Sequence, residues 1–214
     1  MSHYFDVNPE SEHQVKFLQV RLGGQDFKFK TDHAVFSRDR LDYGSELLMK
    51  AVLDEKPFRT GRMLDLGCGY GAIGIMMKRL FPALDVVMCD INERAVGLAR
   101  DNAAMNQTKY LEIVQSDALA AVGGSFDLIL TNPPIRAGKA VVYRFFEESA
   151  QRLNPDGRLY VVIRKQQGAP SAIEKLKGIF PQVSVIDRSA GYWVICAVRS
   201  ACDEQPQVAG LMQV

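Results

Sequence analysis

Two short stretches of this chain combine residue types that can do chemistry together. The first is Asn132-Pro133-Pro134-Ile135. Pro133 pushes Asn132 toward an extended backbone, and Pro134 stiffens the loop further. The Asn132 amide oxygen and the Pro133 carbonyl are both acceptors, so together they can hold the two hydrogens of a planar exocyclic amine. Such an amine is a poor nucleophile because its lone pair is delocalised into the ring. Fixing its hydrogens turns the lone pair toward an electrophile, and positioning supplies most of the gain. No strong base is needed, since the nitrogen becomes acidic only once alkylated. Standing alone, the same residues also read as an Asx-Pro turn that closes a strand.

The second stretch is RMLDLGCGYGAIG, Arg62 to Gly74. A short apolar run with one acid, Asp65, leads into Gly67, Cys68, Gly69 and Gly71, and a helical pattern begins at Ala72; the expectation is strand, tight loop, helix N-terminus. The glycines let the backbone turn sharply and let a ligand lie against it, and the first amides of the helix face a negative group. Charge then discriminates between ligands. A dinucleotide pyrophosphate would be repelled by Asp65, and its fingerprint is G-x-G-x-x-G, whereas the spacing here is G-x-G-x-G. S-adenosylmethionine carries an ammonium, a sulfonium and a single carboxylate, and suits an acid beside a helix end. Asp90, 23 residues past Gly67, is placed to accept both hydroxyls of a ribose, or to cap the next helix. Asp117 is placed to accept an adenine amine, with Ala118 contributing backbone; it also reads as a turn residue.

These residues need a frame. Val15 to Lys30 alternate around Gly23-Gly24 and read as a β-hairpin. A helix starting near Asp42 or Ser45 follows, closed by Pro57. Beyond the glycine loop come a helix ending before Pro82, a strand LDVVMCD ending in Asp90, and a helix from Asn92 to Asn106. The strands YLEIVQSD and FDLILTNPP, a helix over 140–153, the strand GRLYVVIRK and the helix SAIEKLKGIF follow. A strand pair joined at Ala190-Gly191 closes the pattern. Alternating strands and helices imply a mainly parallel sheet covered on both faces, with ligands beyond the carboxyl ends of the strands. That rule gathers Asp65, Asp90, Asp117 and Asn132 on one rim.

At 214 residues and 47% hydrophobic, the chain suits one domain with a sizeable core, taken here as residues 1–200 with a flexible end over 201–214. The net charge is +1, but residues 131–200 hold 11 Lys and Arg against 5 Asp and Glu. That surplus suits a polyanion docking on this side, or solvated helix faces. Four cysteines and three histidines lack metal-ligand spacing, so no metal is expected. The N-terminus has no leader pattern and no run is long enough to span a membrane, which makes a reducing cytoplasm the default compartment.

DLGCGYGAIGI, CDIN and above all TNPPIRAGK resemble class I S-adenosylmethionine-dependent methyltransferases of the small ribosomal-subunit (16S rRNA) guanine-N2 methyltransferase family, single-domain type. TDHAVFSRDRLDYGSELL and GYWVICAVR extend the likeness over nearly the whole chain after the hairpin. The resemblance implies a Rossmann-like α/β fold with a seven-stranded sheet, mainly parallel, whose last strand is antiparallel. It also implies a methionine carboxylate near Gly67 to Gly71, a ribose on Asp90, adenine near Ile91 and Asp117, and the target base at Asn132 to Ile135. Ala34 stands where the family pattern has glycine, and the extra N-terminal domain of longer members is lacking. Ile135 stands where adenine-N6 and protein-glutamine methyltransferases of similar fold carry Tyr or Phe. Arg136 and Lys139 follow, suited to RNA phosphates. The implied activity is methylation of the guanine 2-amino group in RNA; the rivals are adenine-N6 or protein-glutamine methylation, a non-catalytic cofactor-binding module and, most distant, a dinucleotide oxidoreductase.

Overall fold

Strands that are apolar on consecutive residues must be covered on both faces, and the chain builds two layers of helix to do it. The computed structural model describes residues 15–32, 41–55 and 59–200; Ala34, Pro57, the histidines, Cys202 and the tail from residue 201 lie outside these. A hairpin of β1 (Val15–Leu22) and β2 (Gln25–Asp32) precedes α1 (Tyr43–Asp54). Then come β3 (Gly61–Leu66), α2 (Ala72–Leu80), β4 (Leu84–Asp90), α3 (Glu93–Met105), β5 (Leu111–Gln115) and β6 (Phe126–Thr131). The chain continues through α4 (Lys139–Arg152), β7 (Leu153–Arg164), α5 (Ala169–Lys177), β8 (Gln182–Ser189) and β9 (Tyr192–Val198).

The seven-stranded sheet has the order β5-β4-β3-β6-β7-β9-β8. The strands β3 to β7 pair in parallel, and β9 enters antiparallel between β7 and β8. Strand residues alternate between two cores: Met63, Val86, Met88, Leu128, Leu130 and Val162 pack on the side of the hairpin and α1 to α3, while Leu64, Val87, Ile129, Leu159 and Val161 pack with Phe146 and Leu176 of α4 and α5. Both faces are therefore apolar, which is why the strands read as continuous hydrophobic runs. The strand order reverses between β3 and β6, so the crevice at their carboxyl ends is the topological switch point where such sheets bind ligands. The glycine loop and Asn132 flank it. The strand β7 starts at Leu153 rather than Gly157, because Leu153 already pairs with Phe126 before a register break, with Asp156 at φ 60 inside it, carries the ladder on to Leu128 and Arg158. No described helix is long and apolar enough to cross a membrane.

The hairpin turns at Gly23 and Gly24, both at positive φ, as two-residue hairpin turns require. Its docking depends on two asparagines one helical turn apart, Asn102 on α3 and Asn106 at the C-cap of that helix. The Lys28 and Lys30 amides donate to Asn106 Oδ1 (3.0 Å) and Asn102 Oδ1 (2.7 Å). In return Asn106 Nδ2 donates to the Lys28 carbonyl (2.7 Å) and Asn102 Nδ2 to the Lys30 carbonyl (2.9 Å). The side chains thus act as a missing strand on the edge of β2. Asn102 Nδ2 also donates to the Tyr70 carbonyl at 2.8 Å, which ties the hairpin to the glycine loop. Asn102→Ala would orphan three buried or half-buried backbone groups, at a cost of about 2–4 kcal/mol. Calorimetry should show a Tm lower by roughly 5–10 °C, accompanied by weaker ligand binding at the glycine loop; an unchanged Tm would refute the tie.

Candidate functional site

A cavity of about 870 Å³ opens at the switch point, large enough for a nucleoside-sized ligand together with a base. One wall is the glycine loop. The amides of Gly67 and Cys68 both donate to the Cys89 carbonyl at 2.9 Å, and Gly71, at φ 88, starts α2. A Cβ on Gly71 would sit 3.0 Å from the Ala99 Cβ, so close packing on α3 as well as backbone geometry requires glycine.

Asp90, buried at the tip of β4, accepts from the amides of Gly69 (Oδ2, 2.9 Å) and Asn92 (Oδ1, 2.9 Å). Asn92 in turn caps α3 through the Arg94 and Ala95 amides. The carboxylate is held rigidly on the cavity wall. Ile91, Asp117 and Ala118 line the same end. Ala118 has φ 49, an uncommon conformation for a residue with a Cβ, at a wall where function repays strain. The Asp117 carboxylate is paired with both terminal nitrogens of Arg144, whose Nε lies 3.5 Å from Glu148. The acid expected to meet an adenine amine is therefore already engaged by a cation on α4.

Asp65 sits elsewhere than the sequence suggested. It shares the face of Met63, turns beneath the loop, and accepts from the Gly74 amide at 2.8 Å; it does not line the cavity. Its Oδ1 is buried without a hydrogen-bond partner. Burial pushes its carboxyl up to about 7, opposed by the Gly74 amide and reinforced by the charge of Asp90. The nearby thiols are inert: burial first, then the charges of Asp65 and Asp90, push Cys68 well up, and burial pushes Cys89 to about 12. Cys68 serves as packing in the loop rather than as a nucleophile. The Asp90 carboxylate on the cavity wall and the N-terminus of α2 beside it fit a ligand that carries hydroxyl donors, positive charge and one carboxylate.

The opposite wall is Asn132 to Ile135. Asn132 Nδ2 donates to Asp42 Oδ2 (2.7 Å) and Ser45 Oγ (3.0 Å), while the Pro134 carbonyl accepts from Ala137 in a short helical turn. Val162, Ile163, Arg164, Gln167 and Tyr192 complete this side, with the Arg164 guanidinium 4.7 Å from the Tyr192 ring centroid. Arg136 lies at the mouth; Lys139 is exposed and does not line the cavity. Several of the cations in 131–200 are engaged in ion pairs: Arg144 and Arg158 pair with Asp117 and Glu55 from outside that segment, and Lys175 and Lys177 with Glu147 and Glu174 inside it.

This geometry meets an independent finding. A family model described as methyltransferase small domain matches residues 26–196. The chain belongs to that family. The uncharacterized protein YbxB of Bacillus subtilis is 45% identical over 197 residues, covering 91% of this chain and 97% of that one. Ribosomal RNA small subunit methyltransferase C of Pasteurella multocida is 37% identical over 150 residues, covering 68% of this chain and 44% of that one. The structure of the T. thermophilus 16S rRNA N2 G1207 methyltransferase, RsmC, in complex with AdoMet and guanosine aligns with a TM-score of 0.76 at 27% identity, covering 89% of this chain and 52% of that one. The chain spans about half the length of these ribosomal RNA methyltransferases.

Within this methyltransferase small domain, the cavity residues that sequence did not point to include Asp42, Ser45, Arg144, Arg164, Gln167 and Tyr192. Asp42 had a visible role as a helix cap, and that signal concealed a second one. Arg164 and Tyr192 come from strand ends that meet because β9 inserts beside β7, and Arg144 comes from the middle of α4.

Proposed function

We propose that the chain is an S-adenosylmethionine-dependent methyltransferase acting on the 2-amino group of guanine in RNA, with small-subunit ribosomal RNA as its substrate. The observation that carries this is the placement of Asn132 and Pro133 across the switch-point cavity from the glycine loop, with the Asn132 NH2 group already engaged by Asp42 and Ser45. Its oxygen and the Pro133 carbonyl are then the acceptors available to an amine. Relatives that act on 16S rRNA support the choice of substrate.

S-adenosylmethionine supplies an electrophilic methyl group. Beside the Gly67 to Gly71 loop, whose Gly67, Cys68, Gly69 and Gly71 amides are engaged within the chain, the first amides of α2 hold the carboxylate of its methionine portion, Asp90 the ribose hydroxyls, and Ile91 with Ala118 flank the adenine. Asn132 and Pro133 take the two amine hydrogens of guanine and aim its lone pair. Ile135 packs on the ring, more weakly than an aromatic residue would. Arg164 offers a donor fork to guanine O6 and N7, an edge where adenine presents an amine. The base must be unpaired or flipped to reach this depth, and Arg136 at the mouth suits the backbone that enters with it.

Incubation of the purified protein and labelled S-adenosylmethionine with RNA or protein fractions from cells that lack it tests the assignment. Label recovered as N2-methylguanosine from small-subunit RNA is expected; label in protein glutamine would move the target to a side-chain amide, which offers the same two hydrogens.

Asp65 gives the cofactor site a pH dependence. Its folded pKa of about 7 lies above the unfolded value of roughly 4, so the folded chain holds an extra proton in that window and loses stability as pH rises through it. A cation bound above the loop favours the ionised form. Cofactor affinity should therefore rise as pH increases through about 7, with proton release on binding. Asp65→Asn should flatten that slope and raise Tm more at pH 8 than at pH 5. Titration calorimetry across this range checks both, and a wild-type affinity independent of pH would contradict the effect.

A further inference from the structure

We propose that Asp42 and Ser45 are positioning residues that fix the polarity of the Asn132 amide and thereby restrict the site to targets that donate hydrogen bonds. The inference deepens the functional proposal above and rests on it for the identity of the target. Asn132 Nδ2 donates one hydrogen to Asp42 Oδ2 at 2.7 Å and the other to Ser45 Oγ at 3.0 Å, from residues 90 and 87 positions away in the chain. An ionised carboxylate only accepts. An amide turned by 180° would press its oxygen against the Asp42 oxygen, so the flipped form is excluded by charge. Oδ1 is left facing the cavity as an acceptor, and a ring nitrogen or carbonyl brought there would meet lone pair against lone pair. An amine does not.

The anchor is itself immobilised. The same Asp42 Oδ2 accepts from the Ser45 amide at 3.1 Å, so one oxygen both caps α1 and holds Asn132. A Cβ on Gly44 would lie 3.0 Å from Asp42 Oδ2 and 3.0 Å from Tyr192 Cε1, which leaves the first turn of α1 no slack against β9. Tyr43 closes the other side, with its ring 5.6 Å from Tyr192 and its hydroxyl 2.7 Å from Ser189 Oγ. Both Asp42 and Ser45 line the cavity.

The test pairs a variant that cuts the tether with one that keeps it. Asp42→Ser with Ser45→Ala retains a good helix cap but is too short to reach Asn132 and lacks the second acceptor. Asp42→Asn keeps both a cap and an acceptor. Hydrogen exchange of the Asn132 side-chain amide, followed by NMR and assigned with Asn132→Asp, reads the tether without any substrate; kcat, the KM for RNA, the affinity for S-adenosylhomocysteine and Tm read its consequence. In the double variant, amide protection should fall at least about ten-fold and kcat by about 10- to 100-fold. Cofactor affinity should stay within about three-fold, and Asp42→Asn should recover most of the loss. Unchanged exchange in the double variant, an unchanged kcat despite lost protection, or a matching loss of cofactor affinity and Tm would each overturn the proposal. Should the wild type methylate no guanine-containing RNA, the proposed function falls, while amide exchange still decides for or against the tether.

Discussion

Asn132→Ala is expected to reduce methyl transfer by about a thousand-fold while leaving S-adenosylhomocysteine affinity within a few-fold. The side chain lies at the end of β6, held by α1, whereas the glycine loop and the proposed ribose acceptor Asp90 belong to β3 and β4. Its removal deletes one of two acceptors for the amine and leaves the other, the Pro133 carbonyl, unable to set the direction of the lone pair alone. The loss belongs in kcat, since a base can still enter the cavity and pack on Ile135. Single-turnover kinetics with equilibrium cofactor binding separate the two quantities. Equal losses in both would place Asn132 in the cofactor site rather than at the amine.

Asp90→Ala should produce the complementary pattern: cofactor affinity weaker by about 100-fold, from two lost charge-assisted hydrogen bonds to the ribose at roughly 1.5–3 kcal/mol each, partly offset by water. The substitution also strips the Gly69 and Asn92 amides of their acceptor. The loop then loses its registration against β4, and a Tm drop of several degrees should accompany the change. Asp90→Asn, which keeps one acceptor, should fall between wild type and alanine. Calorimetric titration well below the variant Tm reads the effect, and an alanine variant that still bound the cofactor normally would remove Asp90 from the ribose.

Local signals carried the frame. Gly67, Gly69 and Gly71 between an apolar strand and a helical pattern, Asn92 ahead of α3, and Gly23-Gly24 between alternating segments each name an element by its own chemistry, and the elements lie where those signals put them. The seven-stranded sheet with β9 antiparallel follows the family resemblance. Asp65 shows where strand-end reasoning stops: two-residue periodicity puts it with Met63, on the α2 side, so an acid near the strand tip points at a helix amide instead of into the crevice. Asp117 and Arg144 are 27 residues apart, and Asp42 and Asn132 are 90 apart; no spacing rule connects such pairs, because only the packing of α4 and α1 brings them together. The basic third of the chain was legible as a charge surplus, but composition could not separate Arg136 and Arg164 at the cavity from Arg158 and Lys175, which pair with acids.

The most direct measurement is a crystal structure of the chain with S-adenosylhomocysteine and guanosine bound together. The ribose of the cofactor product is expected on Asp90, the guanine 2-amino group within about 3 Å of both Asn132 Oδ1 and the Pro133 carbonyl, and the Asn132 NH2 group still on Asp42 and Ser45. Guanosine bound with its amine directed away from Asn132, or an Asn132 amide turned so that its nitrogen faces the base, would contradict this arrangement.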